Sequence, residues 1–396
     1  MVKEVINKNI QSFYGKKIKV PFFVPFIDKS DIKFVKNVLD SSILTNGPKL
    51  LEFEDNFRKF TKSKYALGVS NATSALQLSL KALGIKPNDE VIVPDLTFPA
   101  TANAVLALGA KPVISDVELD TMNISIKSIK KNISKKTKAI IPVHFAGKSC
   151  NMDEIIKISN NHSLKIVEDC AHGIGTYYKN KHVGNFGETG CFSFYPTKNI
   201  TTIEGGMIIT NNSKIRDYII SSRNHGINKS LKKRYTVGRP WDYNIHELGY
   251  NYRLDELRSC LGISQLKKLE LLNCKRKNAF KYYNQGLDEI SDLTVPNIDD
   301  IDNHSCHLYI IRIKKNKNKN RDKLFKFLSK KGIITSVHYK PLHHFTIFKK
   351  NAVFRDSLVN SSKIYDEILS LPLFPSISKL QQNIVIKSIE EFFKQS

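Results

Sequence analysis

Seven short apolar runs recur between residues 65 and 210: YALGVS (65–70), EVIVPD (90–95), KPVISDV (111–117), KAIIPVHF (138–145), LKIVED (164–169), GCFSFY (190–195) and GGMIIT (205–210). Runs of this length without polar alternation predict strands covered on both faces, and several intervals are long enough for crossover helices. The pattern therefore predicts a mostly parallel, seven-stranded sheet. One interval holds TSALQLSLKALG (73–84), where Ala75, Leu76, Leu78, Leu80 and Leu83 predict a largely buried helix that stops at Gly84.

After residue 250 the period changes. The stretch RLDELRSCLGISQLKKLELL (253–272) sets Leu254, Leu257, Leu261 and Leu269 at helical spacing. This helix is expected to lead from a large domain at 1–252, N-terminal segment included, into a smaller α+β domain at 253–396. The second unit should hold a strand in HLYIIRI (307–313), a helix near 320–331, a strand towards His338 and a terminal helix from about 377. The fold class is α/β.

Composition narrows the picture. A chain of 396 residues, 41% hydrophobic, can bury a sizeable core. The early apolar stretch VPFFVPFI (20–27) is too short and too rich in proline for a spanning or signal helix, and no run approaches the roughly eighteen apolar residues that spanning needs. No membrane association is expected, and the protein is placed in the cytoplasm. The six cysteines are scattered without a CxxC pair and read as reduced thiols. The formal charge of +25 invites a nucleic-acid reading, but only 11 of the 62 basic residues are arginine. The lysines come mixed with asparagine, in SIKSIKKNISKKTK (125–138) and KKNKNKNRDK (314–323), without interleaved aromatic residues on which bases could stack. These are solvated faces, so no nucleic-acid partner is expected. Their field would still draw in an anionic nucleotide substrate.

Chemistry gathers where the predicted strands end. LKIVEDCAH (164–172) closes on Asp169, with His172 three residues on, and Lys198 follows in SFYPTKNITTIEGG (193–206). A strand-borne carboxylate followed by a lysine beside small and hydroxyl residues suits pyridoxal phosphate. The amine can form a Schiff base with the cofactor's aldehyde, while the acid keeps the pyridine nitrogen protonated. VSNATSAL (69–76) runs from a strand into a helix through Ser70, Asn71, Thr73 and Ser74, and backbone N–H groups at such a start, flanked by hydroxyls, make a phosphate cradle or an ordinary helix cap. Phe98 lies just past a strand end, where its ring could stack on a planar cofactor or belong to the core.

These motifs resemble the DegT/DnrJ/StrS family of pyridoxal phosphate-dependent aminotransferases, which act on nucleotide-linked keto sugars and have the type I aminotransferase fold. The likeness runs from LTNGPKLLEFE (44–54) through VPDLTFPATANAV, DVELDTMNI, VHFAGKSCNMDEI, EDCAHGIG, SFYPTKNITTIEGGM, RNHGI, LGYNYRLDEL and GIITSVHYKPLH to LSLPLFP. It implies pyridoxal 5'-phosphate as cofactor, Lys198 as the Schiff-base lysine and proton carrier, Asp169 as partner of the pyridine nitrogen and Phe98 as the stacking ring. It further implies phosphate contacts from Ala72, Thr73 and Ser193, a hydrogen bond from His172 to the cofactor's ring oxygen, and Asn251 reaching the cofactor of a partner subunit. Arg253, His338 and Tyr339 are the candidates for substrate contact. Ala72 stands where the family usually has glycine, and His172 where many members have glutamine.

By the same resemblance, the amino donor is L-glutamate, the acceptor a nucleotide-linked keto sugar and the assembly a homodimer with shared active sites. His172 together with ITTIEGG (200–206) resembles members that aminate C4 of UDP-linked 4-keto-6-deoxyhexoses more than those that aminate C3 of dTDP-linked 3-keto sugars. A Rossmann dehydrogenase is a poor reading of HGIG (172–175), which lacks the third glycine. A metal hydrolase is a poor reading of His338, His343 and His344, which have no HExxH, paired acids or cysteine ligands beside them. A non-catalytic binding protein on the same fold is the rival from another class, and Lys198 argues against it.

Overall fold

The computed structural model describes residues 18–227, 239, 241–297, 299–314 and 319–394. Residues 315–318 of the second lysine and asparagine stretch lie outside this set, as do residues 1–17 of the expected large domain. All seven apolar runs form strands of one sheet: β1 (Tyr65–Val69), β2 (Glu90–Pro94), β3 (Lys111–Ser115), β4 (Thr137–Ile140), β5 (Lys165–Asp169), then, after the short hairpin β6 (Tyr177–Tyr178) and β7 (Lys181–His182), β8 (Thr189–Ser193) and β9 (Gly206–Thr210). The run 138–145 gives a strand only to Ile140, and the rest leads over Pro142 towards the cleft.

Strands β2, β3, β4, β5 and β8 pair in parallel, while β9 runs antiparallel to both β1 and β8. Reversal of β9 alone leaves the carboxyl ends of β1, β2, β3, β4, β5 and β8 on one edge. The register there sets Val69 and Ser193 on either side of Gly206. The sheet has eight strands, not the seven expected. β12 (Val353–Phe354) pairs in parallel with β3 at the outer edge, and two residues from a distant part of the chain carry no run long enough to announce a strand.

The helix read at 73–84 spans Ala72–Ala82 and closes at Gly84, which takes a φ of 77° while its N–H bonds the carbonyl of Lys81. The single helix read at 253–272 is two helices, Glu256–Leu266 and Leu269–Leu287. The first begins late because Asp255 caps it, accepting the Arg258 N–H at 2.8 Å. The chain turns at Lys268, whose ammonium pairs with Asp28 and Asp31.

Beyond these helices, β10 (Leu293–Thr294), β11 (Tyr309–Ile313) and β13 (Ile368–Leu371) form an antiparallel sheet in the order β10-β11-β13. Helices Arg321–Lys330 and Lys379–Lys394 lie where the pattern put them. Towards His338 there is only a bridge, Ser336 to Ser370, whose two backbone hydrogen bonds at 3.1 and 2.8 Å are not continued by a second pair. Val20 from the N-terminal segment bridges to Ile333 and sits in the core that Phe280, Tyr283 and Tyr309 build. Among the described residues no helix is long and apolar enough to cross a membrane.

Alternation along β8 ties the core to the site. Phe192 and Phe194 share one face, and both pack on Phe57, at ring-centroid distances of 5.1 and 5.7 Å; Ser193 between them has the opposite face. Phe57 is fully buried. Replacing Phe57 by Ala should therefore cost about 3–5 kcal/mol of stability, through lost transfer energy and an aromatic-lined cavity. The measurement is a urea unfolding curve, and an unchanged midpoint would show that this cluster does not hold β8.

Candidate active site

The last two residues of β5 point to opposite faces of the sheet. Glu168 is fully buried, and its two oxygens accept N–H bonds from Gly184, Phe186 and Gly187 at 2.6–2.8 Å and meet His144 Nε2 at 3.0 Å. His144, Glu168 and Cys170 come close enough for a metal, but the carboxylate is already taken up in binding the loop after β7 to the strand. Asp169 faces the other way. Its Oδ2 accepts the Thr101 hydroxyl at 2.8 Å and its Oδ1 the Ala171 N–H at 3.1 Å. Burial pushes its carboxyl above the usual range, against these two hydrogen bonds and the positive charge of Lys198.

Lys198 stands on a loop pinned at both ends. Phe194 N–H bonds the Gly205 carbonyl, Thr202 N–H bonds the Phe194 carbonyl, and Lys198 N–H bonds the Tyr195 carbonyl, all at 2.9 Å. Its ammonium is pulled down to about 8 by burial, with Asp169 pulling the other way. The lysine shares a cleft with Phe22, Thr197, His307, His338 and Tyr339. At the cleft mouth Phe98 is 57% exposed, with its ring 5.8 Å from that of Tyr339.

His172 is buried and neutral. Its Nδ1 accepts the Ala146 N–H at 3.3 Å, so the ring proton is on Nε2, 3.1 Å from the Tyr339 hydroxyl. Burial, then the charge of Lys198, hold its pKa well below the ordinary histidine value. His338 is likewise drawn down to about 4 by burial; its Nδ1 lies 2.9 Å from the Ser370 hydroxyl and its ring stacks on Phe22. The fold thus gathers Asp169, Lys198, His172, Phe98, His338 and Tyr339.

A second group forms one strand register away. Asn71 caps the helix Ala72–Ala82 by accepting the Ser74 N–H, and Ser74 Oγ accepts the Asn71 N–H in return. This leaves the N–H groups of Ala72 and Thr73 at the open end of the helix. Gly206 is required here: a Cβ on it would lie 2.5 Å from the Asn71 carbonyl carbon and 2.9 Å from Ala72 N. Its missing side chain lets β9 bring Ser193 beside the turn. Ala72 is itself the first helical residue and has no positive φ, so the alanine meets no backbone strain.

Asn251 and Arg253 are placed differently. They flank Tyr252, whose carbonyl accepts the Ser70 N–H at 2.9 Å, so this segment runs beside the end of β1. Asn251 is exposed, and Arg253 donates to Asn224 Oδ1 at 2.8 Å, apart from the His338 and Tyr339 side of the cleft. His343 belongs to neither group; it bonds Asp95 Oδ2 at 2.6 Å and ties its loop to the end of β2. Sequence reasoning did not single out Thr101, Glu168 or His307. Thr101 lies inside the quoted PDLTFPATANA, and Glu168 precedes Asp169 in the fifth run. No local signal marks His307, whose neighbours come from far along the chain.

The two groups fit pyridoxal phosphate by the chemistry of their donors. A buried carboxylate whose pKa is forced up is short of a cation, and a pyridinium N–H is one; the open helix start with Thr73 and Ser193 suits a phosphate. A lysine and an acid so disposed at the carboxyl edge of an α/β sheet define a pyridoxal phosphate aminotransferase of the type I fold. The sequence pattern of the DegT/DnrJ/EryC1/StrS aminotransferase family matches residues 25–390, and the chain belongs to that family. The family is one of sugar aminotransferases, and they use pyridoxal 5'-phosphate. The chain is 40% identical to MJ1066 of Methanocaldococcus jannaschii over 379 residues, 95% of this chain and 98% of that one. It is 36% identical to the spore coat polysaccharide biosynthesis protein SpsC of Bacillus subtilis over 378 residues, 95% and 97% of the two chains. Among solved structures, it is similar to Helicobacter pylori PseC, an aminotransferase involved in the biosynthesis of pseudoaminic acid. That match has a TM-score of 0.87 at 32% identity and covers 95% of this chain and all of the other.

The electrostatics give a signed test. In cofactor-free protein, labelling of Lys198 by an amine reagent, followed by peptide mass spectrometry, should rise through pH about 8. Asp169 raises the lysine's pKa, so Asp169→Asn should move that midpoint lower. A midpoint near the ordinary lysine value in either protein would contradict the site's electrostatics.

Proposed function

We propose that this chain moves the amino group of L-glutamate to C4 of a UDP-linked 4-keto-6-deoxyhexose, working as a homodimer with shared active sites. The observation that carries the reading is Lys198, with its lowered pKa, set against Asp169 and beside neutral His172. The named relatives in polysaccharide and pseudoaminic acid biosynthesis support a sugar acceptor.

Asp169, its oxygens oriented by Thr101 and Ala171, would hold the cofactor's pyridinium N–H. Ala72, Thr73 and Ser193 would hold its phosphate, Phe98 would cover its ring, and His172 Nε2–H would meet its ring oxygen. When bound, pyridoxal phosphate supplies the electron sink that lets a proton leave the carbon bearing the nitrogen. Lys198 Nζ takes that proton from Cα of the donor amino acid, and in the second half of the cycle it returns a proton to the sugar carbon that has gained the nitrogen. A pKa of about 8 suits both steps, because the amine and its conjugate acid are both populated near neutral pH. His338 and Tyr339 line the substrate end. Arg253, beside the phosphate turn, is assigned to the substrate with them. The polypeptide divides at residue 252 into the cofactor-binding domain and the smaller one, and the reaction is assigned to the cytoplasm.

Two features support a dimer. Ile203, on the Lys198 loop, and Trp241 and Leu248, on the segment leading to Asn251, are 65%, 73% and 71% exposed, apolar surface next to site segments that a second subunit would cover. Asn251 is itself exposed, free to reach the phosphate of a second subunit.

Incubation of the holoenzyme with glutamate and a panel of UDP- and dTDP-linked 4-keto and 3-keto sugars, followed by product mass spectrometry and NMR, should give a 4-amino UDP sugar. Product only from the dTDP 3-keto sugar would overturn the choice of carbon and carrier. Lys198→Ala should abolish transfer, and Asp169→Asn should lower turnover by about two orders of magnitude or more with the fold intact.

Mixing an Asn251→Ala subunit with a Lys198→Ala subunit should restore activity, since each mixed dimer carries one doubly damaged site and one intact one. If mass measurement confirms exchange but the mixture stays inactive, the sites are not shared.

A further inference from the structure

Behind Lys198 lies a buried polar chain that the reaction as described does not use. Asn199, the next residue, is buried, and its Nδ2 donates to the backbone carbonyl of Ser305 and to Asn273 Oδ1, each at 2.7 Å. A carbonyl cannot donate, so this contact fixes which way the Asn199 amide faces, and its Oδ1 must then be an acceptor. His307 Nδ1 lies 3.1 Å from that oxygen and is therefore the protonated ring nitrogen. The His307 ring centroid lies 4.4 Å from that of His172, tilted by 31°. Its backbone is fixed as well, since its carbonyl accepts from buried Arg276 and its N–H donates to the Ala146 carbonyl. Ala146 is the residue whose own N–H sets the tautomer of His172.

We propose that His307 is a positioning residue for transamination: its Nδ1–H holds Asn199, and through it the direction of Lys198. This rests on the reading of Lys198 as the proton carrier. Burial above all, and then His172, Lys198, Arg276 and His338 around it, oppose a positive charge on the His307 ring. His307 accordingly acts as a neutral donor and contributes no proton of its own.

The test separates the two properties of the ring. Asparagine places an amide N–H near the position of Nδ1, phenylalanine keeps the ring and loses the donor, and glutamine carries its amide where Nε2 was. In holoenzyme, His307→Asn should keep the rate of the glutamate half-reaction within about fivefold, the range left by one retained hydrogen bond of imperfect geometry. His307→Phe should slow that rate at least about tenfold with KM for glutamate within about twofold, because a misdirected lysine impairs transfer rather than binding. His307→Gln should behave like phenylalanine and takes its place if that variant does not fold. Visible circular dichroism of the bound cofactor, which reports how firmly the lysine holds it, should survive in the asparagine variant and collapse in the other two. Wild-type rate and dichroism in the phenylalanine variant would overturn the proposal, as would equal losses in the asparagine and glutamine variants. Failure of the underlying reading looks different: the wild-type holoenzyme would show no glutamate half-reaction, or borohydride would fix the cofactor to a lysine other than Lys198.

Discussion

A carboxylate removed from water must be matched by a cation, by hydrogen bonds or by its own proton, and the end of β5 presents the fold with two of them. Glu168 is matched by backbone N–H groups and a histidine, and so becomes an anchor for the loop after β7. Asp169 is matched only in part, by one hydroxyl and one N–H, and its pKa rises in consequence. The rest of the site answers that deficit. Lys198 is held near enough to feel the acid, yet dry enough to give up its proton near neutral pH, and the histidines around it are kept neutral so that they do not compete for the charge. One strand end thus serves stability on one face and reactivity on the other.

The second constraint is steric. Val69, Gly206 and Ser193 stand in register across β1, β9 and β8, and the backbone of Gly206 lies against the turn that opens the helix Ala72–Ala82. A phosphate site built this way depends on a close approach of two backbones as much as on any side chain. This explains why Ala72 is acceptable where Gly206 is not replaceable: the first enters an ordinary helical conformation, and the second has no room for a Cβ.

Strand identity was legible because the large sheet is covered on both faces, which leaves uninterrupted apolar runs that a single sequence displays. What was lost depends on distance along the chain. Strand β12 has only two residues and is defined by its partner β3, and the break at Lys268 comes where that side chain reaches Asp28 and Asp31, more than two hundred residues away. At the site, the positions of Lys198, Asp169, His172 and Phe98 could be placed because each lies at or beyond the end of a recognisable strand. Thr101 and Glu168 lay within quoted motifs, yet a threonine on a first helical turn and an acid inside an apolar run acquire meaning only when the fold supplies their partners. His307 meets Asn199 and His172 across more than a hundred residues of chain, and nothing in HLYIIRI alone marks its ring as anything but part of a strand.

The exchange of edge segments bears on how the cleft can move. Val20 leaves the N-terminal part to pair with Ile333, while β12 leaves the C-terminal part to pair with β3. Each half of the chain lends a segment to the other through backbone hydrogen bonds, and each lent segment belongs mechanically to the part it pairs with. A widening of the cleft would therefore fall on the connecting segments, and each part would carry its borrowed segment with it.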